Sequence, residues 1–475
     1  MPRFLSLSRG AHGPRTTASR RVRRPSSVAR GLAVALALLL TATASPAQTP
    51  ADLPPASARG DVLIRNATVH TVTNGTLDNT DVLVRDGKID DIGQGLSAPR
   101  GVEVVDATGM HLMPGIIDAH SHIALSSVNE ATNPIVAEVQ MRDALDPSDV
   151  SIYRALAGGT TTAHLMHGSA NPVGGENETI KFRWGTLDPD GLLFEGAPRT
   201  IKFALGENPT RVHGQGRGIR PRTRMGIEQV YREAFTEAQM YRAEQEAAER
   251  EGRPLPPVNR RLETLADILS GDVLVHSHSY RADEILMLLG VLQDFGVDRV
   301  TFQHANEAYK VAPELAAAGA SASVFSDWWS YKFEVYYSSA YNAAVLARNG
   351  VRTSINSDDA GMIRHLYHEA AKTQRYGGLT DDEALALITI NPAYQLGIDD
   401  RVGSIEEGKD ADLALFTAHP LSVYATVAKT YVDGIARFDA ERDGDDQRLY
   451  VDPDDEILDT SALLVRHEDG CMILR

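Results

Sequence analysis

The segment Pro-Gly-Ile-Ile-Asp-Ala-His-Ser-His, residues 114–122, sets two histidines two positions apart at the end of an apolar run. On an extended strand, residues i and i+2 point to the same face, so His120 and His122 present two imidazoles to one point. One such pair is common in protein cores, and three further residues strengthen it. His276 follows Asp-Val-Leu-Val, His304 follows Val-Thr-Phe-Gln, and Asp358 comes just after Thr-Ser-Ile-Asn, each at the C-terminal end of a predicted strand. Four imidazoles and a carboxylate drawn together form a donor set that suits zinc, manganese or a similar first-row ion rather than calcium. Such an ion brings the pKa of a bound water to about 7 and polarises a scissile carbonyl. Asp358 is then expected as ligand and proton shuttle, and strand alternation turns its neighbour Asp359 the other way.

These residues need a scaffold that gathers strand ends. Eight short apolar segments alternate with helical stretches: those ending at His122, His167, Gly185, Gly206, Ser279, Asn306, Ser326 and Asp359. They predict an α/β fold, a (β/α)8 barrel spanning 114–400, in which catalytic residues sit at the C-terminal face. Outside it, segments such as 61–72, 81–93, 410–416 and 427–438 are short, β-branched and alternating, with Asn-Gly and Asp-Gly turns. They predict a small β-sandwich built from both chain ends, 61–113 and 401–440. A long charge-rich helix pattern starts at Arg224, after a basic loop. Its surface is expected to be solvated, the alternative being that Arg217, Arg220, Arg222 and Arg224 form a rim attracting an anionic substrate.

With these motifs in order, the sequence resembles the amidohydrolase superfamily. Residues 114–122 look like its strand 1 His-x-His signature, Val-His-Ser-His at 275–278 like its strand 5 histidine, and Phe-Gln-His-Ala-Asn-Glu at 302–307 like its strand 6 histidine. Asn-Ser-Asp-Asp-Ala at 356–360 looks like its strand 8 aspartate, and the segment 402–416 like its return into the sandwich. The resemblance covers roughly residues 61–440 and is greatest to imidazolonepropionase-like and prolidase-like members. It implies a hydrolase of carbon–nitrogen bonds holding one or two divalent ions, zinc being expected, with a carboxylated lysine from strand 4 as bridge. Thr-Ile-Lys-Phe occurs twice, offering Lys181 and Lys202. Lys202 is preferred because it leads into the insertion before strand 5, with Lys181, Glu207 or a single-ion site as alternatives. The expected ligand set is therefore His120, His122, Lys202, His276, His304 and Asp358.

Beyond these ligands, His278 is expected to bind the oxyanion or to orient Asp358, as a catalytic or substrate-binding residue. His167 and Arg183 are expected to contact substrate, Arg183 either gripping a carboxylate or lying in a buried salt bridge. Trp328, Trp329 and Tyr331 form an aromatic wall or pack in the core. The expected substrate is a linear amide, an N-acyl amino acid or dipeptide, and the alternative is a cyclic amide or amidine. A non-catalytic scaffold on the same fold is a remote third reading, disfavoured by an intact ligand set.

The 475 residues suffice for one large barrel and an accessory domain. Residues 1–47 carry eight arginines and no acidic residue, then the apolar run 31–40 and small residues at Ala44 and Ala47. That is the layout of a cleaved secretory signal, too short in its apolar part for a spanning helix, so a periplasmic or secreted protein without a membrane anchor is expected. A linker is expected at 48–60 and an exposed extension at 441–475. Cleavage would take the net charge from −17 to near −25, which excludes nucleic acid as a partner. The single cysteine, Cys471, permits no intramolecular disulfide. A small-molecule substrate is the expected partner, with a homo-oligomer as an open possibility.

Overall fold

The computed structural model describes residues 55–329 and 331–443. The segment expected as a signal, Cys471 and the expected C-terminal extension beyond residue 443 lie outside the described residues. Among the described residues no helix is long and apolar enough to cross a membrane.

The N-terminal part supplies strands β1 (Val62–His70), β2 (Thr76–Arg85), β3 (Lys88–Gly93), β4 (Glu103–Asp106) and β5 (His111–Pro114). Eight barrel strands follow: β6 (Ile116–Ser121), β7 (Thr160–Leu165), β8 (Val173–Lys181), β9 (Arg199–Ala204), β10 (Val273–Ser279), β11 (Val300–His304), β12 (Ser321–Val324) and β13 (Thr353–Ile355). The chain then returns through β14 (Leu413–Phe416), β15 (Val427–Val432) and β16 (Ile435–Asp439). Both ends do build the accessory unit, β14 pairing antiparallel with β5. In its hydrogen bonding it is one sheet, in the order β16-β15-β14-β5-β1-β2-β3 with β4 also on β1, rather than two facing sheets. It has its own apolar core, including Val62, Ile64, Val82, Leu413 and Leu415.

The barrel sheet runs in the order β13-β12-β11-β10-β9-β8-β7-β6, so each of the eight segments expected from sequence supplies one strand. Their residues are almost continuously buried, as strands covered on both faces must be. Between the terminal strands, Asp358 N–H donates to the His120 carbonyl at 3.0 Å. One strand departs from an ideal parallel barrel. β8 runs antiparallel to both β7 and β9, whereas β9 through β13 are parallel neighbours. Only residues 166–172 join β7 to β8, and a parallel crossover needs a dozen or more, so the chain turns back as a hairpin. The C-terminal end of β8 therefore lies at the opposite end of the barrel from the other strands' C-termini.

The long insertion is the helix Arg224–Glu251. It is less solvated than its charge pattern suggests. Ile227, Val230, Tyr231, Ala234, Phe235 and Ala238 are buried at helical spacing. Tyr231 stacks on Phe203 of β9, ring centres 5.0 Å apart, and its hydroxyl donates to the Ala204 carbonyl at 2.8 Å. The insertion thus braces the strand that carries Lys202.

Candidate metal centre

At the barrel mouth, single ligand atoms of His120, His304 and Asp358 lie within 4.8 Å of one another, all buried. His120 and His122 both project from the end of β6, as the i, i+2 spacing requires, with their Nε2 atoms 3.3 Å apart. The Asp358 carboxylate reaches His122 Nε2 at 3.3 Å, His120 Nε2 at 3.6 Å and His304 Nε2 at 3.8 Å. Lys202 Nζ stands 3.1 Å from His120 Nε2. His304 and Asp358 have backbone φ of +64° and +46°, left-handed values that non-glycine residues rarely adopt. Such strain, about 1–3 kcal/mol per residue, is characteristic of functional sites.

The surroundings fix several of these groups. His122 Nδ1 donates to the Met166 carbonyl at 2.8 Å, which leaves Nε2 as the acceptor facing the mouth. Asp118 accepts from the backbone N–H groups of His120 and Ser357, at 3.2 and 3.0 Å, and from the Ser357 hydroxyl. It therefore staples the end of β6 to the turn that carries Asp358, and burial pushes its pKa up to about 7. Burial also presses on Asp358, but His304, His122 and Lys202 outweigh it and hold that carboxyl below its ordinary value. Burial, then Lys202 and the neighbouring imidazoles, push His120 well below the usual histidine range, so it is neutral and able to ligate.

His276 and His278 stand at different depths in the mouth. Both point into the barrel from β10, but His276 lies deeper. It is level with Lys202 in the β9 register, its ring packs against His164 with centres 4.5 Å apart, and its Nδ1 accepts from Gln303. His278, two residues nearer the strand end, faces His304 with ring centres 4.8 Å apart. A strand rises about 3.3 Å per residue, so two residues carry the imidazole up one layer. Lys202 bridges the same difference with its four-carbon stem. Among the described residues, both ring nitrogens of His278 and of His304, and Nε2 of His276, are buried without a hydrogen-bond partner. A buried polar atom without a partner costs free energy, and a ligated cation satisfies it. The residues present fit a divalent ion on that ground.

Two other expected site residues sit elsewhere. Arg183, just after β8, lies at the far end of the barrel, where Nε donates to Asp433 at 2.7 Å and Nη2 to Glu195 at 2.9 Å. Lys181 is there too, within 2.8 Å of Asp410, 3.1 Å of Asp412 and 2.7 Å of Asp433. The reversed direction of β8 removes both from the mouth. His167 is close to the mouth but already committed. Its Nδ1 donates to the Gly168 carbonyl at 2.8 Å and its Nε2 accepts from Glu130 N–H at 2.9 Å. Gly174 makes room for it, since a Cβ there would stand 2.7 Å from Nδ1. It shapes the loop rather than offering a free nitrogen.

Glu207 begins the turn after β9 and lines a cavity of about 500 Å³ with Thr210, Arg211, Arg222 and Arg224. Two arginines of the expected rim are neutralised: Arg220 by Glu233, and Arg224 by Glu284 and Glu334. The aromatic wall exists in part. Tyr280 and Phe325 stack on His304 at 5.4 and 5.0 Å, Trp328 lies against Phe325, and Tyr331 against Tyr280, while Trp329 is half exposed. Lys332 Nζ lies 4.3 Å above the Tyr280 ring. Tyr280, Gln303 and Lys332 were not singled out from sequence. Only Gln303, beside a ligand, and Tyr280, two residues after His278, carried a positional signal.

An amidohydrolase of known structure from Thermotoga maritima MSB8 is 36% identical, is covered over its whole length by 80% of this chain, and superimposes with a TM-score of 0.75. The chain belongs to the amidohydrolase superfamily. The Amidohydrolase family model matches residues 337–436. Amidohydrolase tasK of Hapsidospora irregularis is 32% identical over 76% of this chain, which spans 40% of that relative's length. Dihydropyrimidinase 2 of Caenorhabditis briggsae is 36% identical over 30% of this chain and 24% of its own. A putative prolidase from Bifidobacterium longum shares the fold, with a TM-score of 0.51 at 17% identity over 81% of this amidohydrolase and 95% of that chain.

Proposed function

We propose that this amidohydrolase cleaves a carbon–nitrogen bond of an amide by divalent-metal chemistry, with His120, His122, Lys202, His278, His304 and Asp358 holding the ion or ions. The convergence of buried ligand atoms of His120, His304 and Asp358 within 4.8 Å of one another carries this reading. A divalent ion bound there supplies an acidified water as nucleophile and a Lewis acid for the carbonyl. Lys202, placed against His120 Nε2, is the residue that would bridge two ions if carboxylated. Asp358, held ionised, accepts the proton from the attacking water at a carboxylate oxygen and returns it to the leaving nitrogen, which departs as a neutral amine. His120 and His122 do not move protons, because their Nδ1–H groups are tied to Gln303 and to the Met166 carbonyl. Tyr280, Phe325, Trp328 and Tyr331 form the apolar side of the mouth and exclude water from it.

Zinc is the proposed ion, on the strength of an imidazole-rich donor set. The proposed substrates are N-acyl amino acids or dipeptides, met outside the cytoplasm after cleavage of the N-terminal segment. A cyclic amide is the second reading, supported by the similarity to dihydropyrimidinase 2. Turnover of matched linear and cyclic amides by metal-loaded and chelator-treated protein tests both. Hydrolysis of the linear set, lost with the metal and restored by zinc, is expected. Turnover confined to cyclic amides selects the second reading, and turnover undiminished after complete metal removal contradicts the metal mechanism.

A further inference from the structure

Below the ligands the barrel interior holds a polar layer where branched apolar side chains are the rule. It comprises Gln303 of β11, His276 of β10, His164 of β7 and Thr200 of β9, all buried. His164 Nε2 meets the Thr200 hydroxyl at 2.6 Å, and the His276 ring leans on His164. Gln303 connects this layer to the centre above.

The orientation of the Gln303 amide follows from its partners. Its Nε2 lies 3.3 Å from the Ala119 carbonyl, which can only accept, so the nitrogen is on that side. Oε1 consequently faces His120 Nδ1 at 3.2 Å and must accept from it. That places the imidazole proton of His120 on Nδ1 and leaves the Nε2 lone pair toward Lys202 and Asp358. The second amide hydrogen points to His276 Nδ1 at 3.1 Å, which must accept, so His276 is protonated at Nε2. One side chain sets two tautomers in opposite senses.

We infer that Gln303 is the positioning residue of the metal centre, acting through His120 by holding its Nδ1 protonated and directing its Nε2 lone pair toward the ion site, with the Ala119 carbonyl keeping the amide from flipping. The inference rests on the metal reading above. In the other tautomer His120 would aim an N–H at the ion, so loss of the Gln303 oxygen weakens binding without removing a ligand. Gln303→Met keeps the length and most of the volume but accepts no comparable hydrogen bond. Gln303→Glu keeps an oxygen for His120 Nδ1–H and, as a buried protonated carboxyl, still donates from its second oxygen to the Ala119 carbonyl.

The test is Zn²⁺ affinity of metal-stripped full-length protein, measured by competition with a chromophoric chelator, alongside thermal midpoints of the stripped proteins to report packing separately. Gln303→Met is expected to bind Zn²⁺ about 10–100-fold more weakly than wild type, while Gln303→Glu stays within about threefold. Wild-type affinity in Gln303→Met, or an equal loss in both variants, overturns the inference while leaving the metal reading intact. If Gln303→Met does not fold, Gln303→Glu decides alone, and a loss beyond about tenfold contradicts the positioning role. Wild type that binds no Zn²⁺ removes the metal reading itself.

Discussion

Thr-Ile-Lys-Phe at 179–182 and again at 200–203 places two lysines in the barrel wall, both fully buried, with opposite surroundings. Lys181 is encircled by the carboxylates of Asp410, Asp412 and Asp433, with Arg183 and Glu195 extending the network between barrel and accessory sheet. Lys202 instead touches His120, in a mouth where, among the described residues, imidazole nitrogens of His276, His278 and His304 have no hydrogen-bond partner. The first cluster is electrically closed: burial opposes the Lys181 charge, yet its three aspartates hold its pKa above the ordinary value. The second is open, with buried imidazole nitrogens that the described residues leave without hydrogen bonds. Buried polar groups that are fully paired point to architecture, and those left wanting point to a ligand.

Breaking the mouth should have the largest effect. Asp358→Asn is expected to lower amide turnover by roughly 10²–10⁴-fold, since it removes the proton acceptor, with far-ultraviolet circular dichroism unchanged. Full activity in that variant would remove Asp358 from the proposed chemistry. His278→Asn is expected to lose metal, whereas His276→Asn should retain the greater part, and the reverse ranking would restore the assignment drawn from sequence.

Breaking the joint should show in stability instead. Lys181→Ala leaves three buried aspartates facing one another and is expected to cost about 3–5 kcal/mol in denaturant unfolding, with turnover per folded molecule retained. Arg183→Ala should likewise destabilise without changing KM for anionic substrates, and a selective rise in KM would return Arg183 to the substrate site.

The smallest expected effect concerns acid. His70 of the accessory sheet, 3.0 Å through Nε2 from His111 Nδ1, is pushed down to about 4, first by burial and then by His419 and His111. The unfolded chain takes up a proton near pH 6.5 that the folded one refuses, so this part of the stability is complete above 6.5 and is lost as pH falls toward 4. Unfolding free energy of metal-loaded protein, measured across that range, should fall less steeply in His70→Gln, and identical slopes would show that His70 does not titrate this way.

The ends of strands were legible in the sequence because the barrel strands are short buried runs closing on polar residues, and His120, His122, His304 and Asp358 were read from that alone. What sequence could not supply was strand direction and depth. Nothing local in residues 173–181 announces that β8 runs backward, which sent Lys181 and Arg183 to the far end. His276 and His278 share one strand face, so alternation cannot choose between them. Their different heights against the neighbouring strands are visible only in the fold. The Gln303 network depends on contacts between β6, β10 and β11 that no single segment encodes.

The most direct test of the central claim is the metal content of purified wild type and Lys202→Ala by inductively coupled plasma mass spectrometry. One or two divalent ions per chain in wild type, falling in Lys202→Ala while its fold persists, is the predicted result. Wild type that carries no metal and takes up none when zinc is supplied would contradict the account of the barrel mouth as a metal centre.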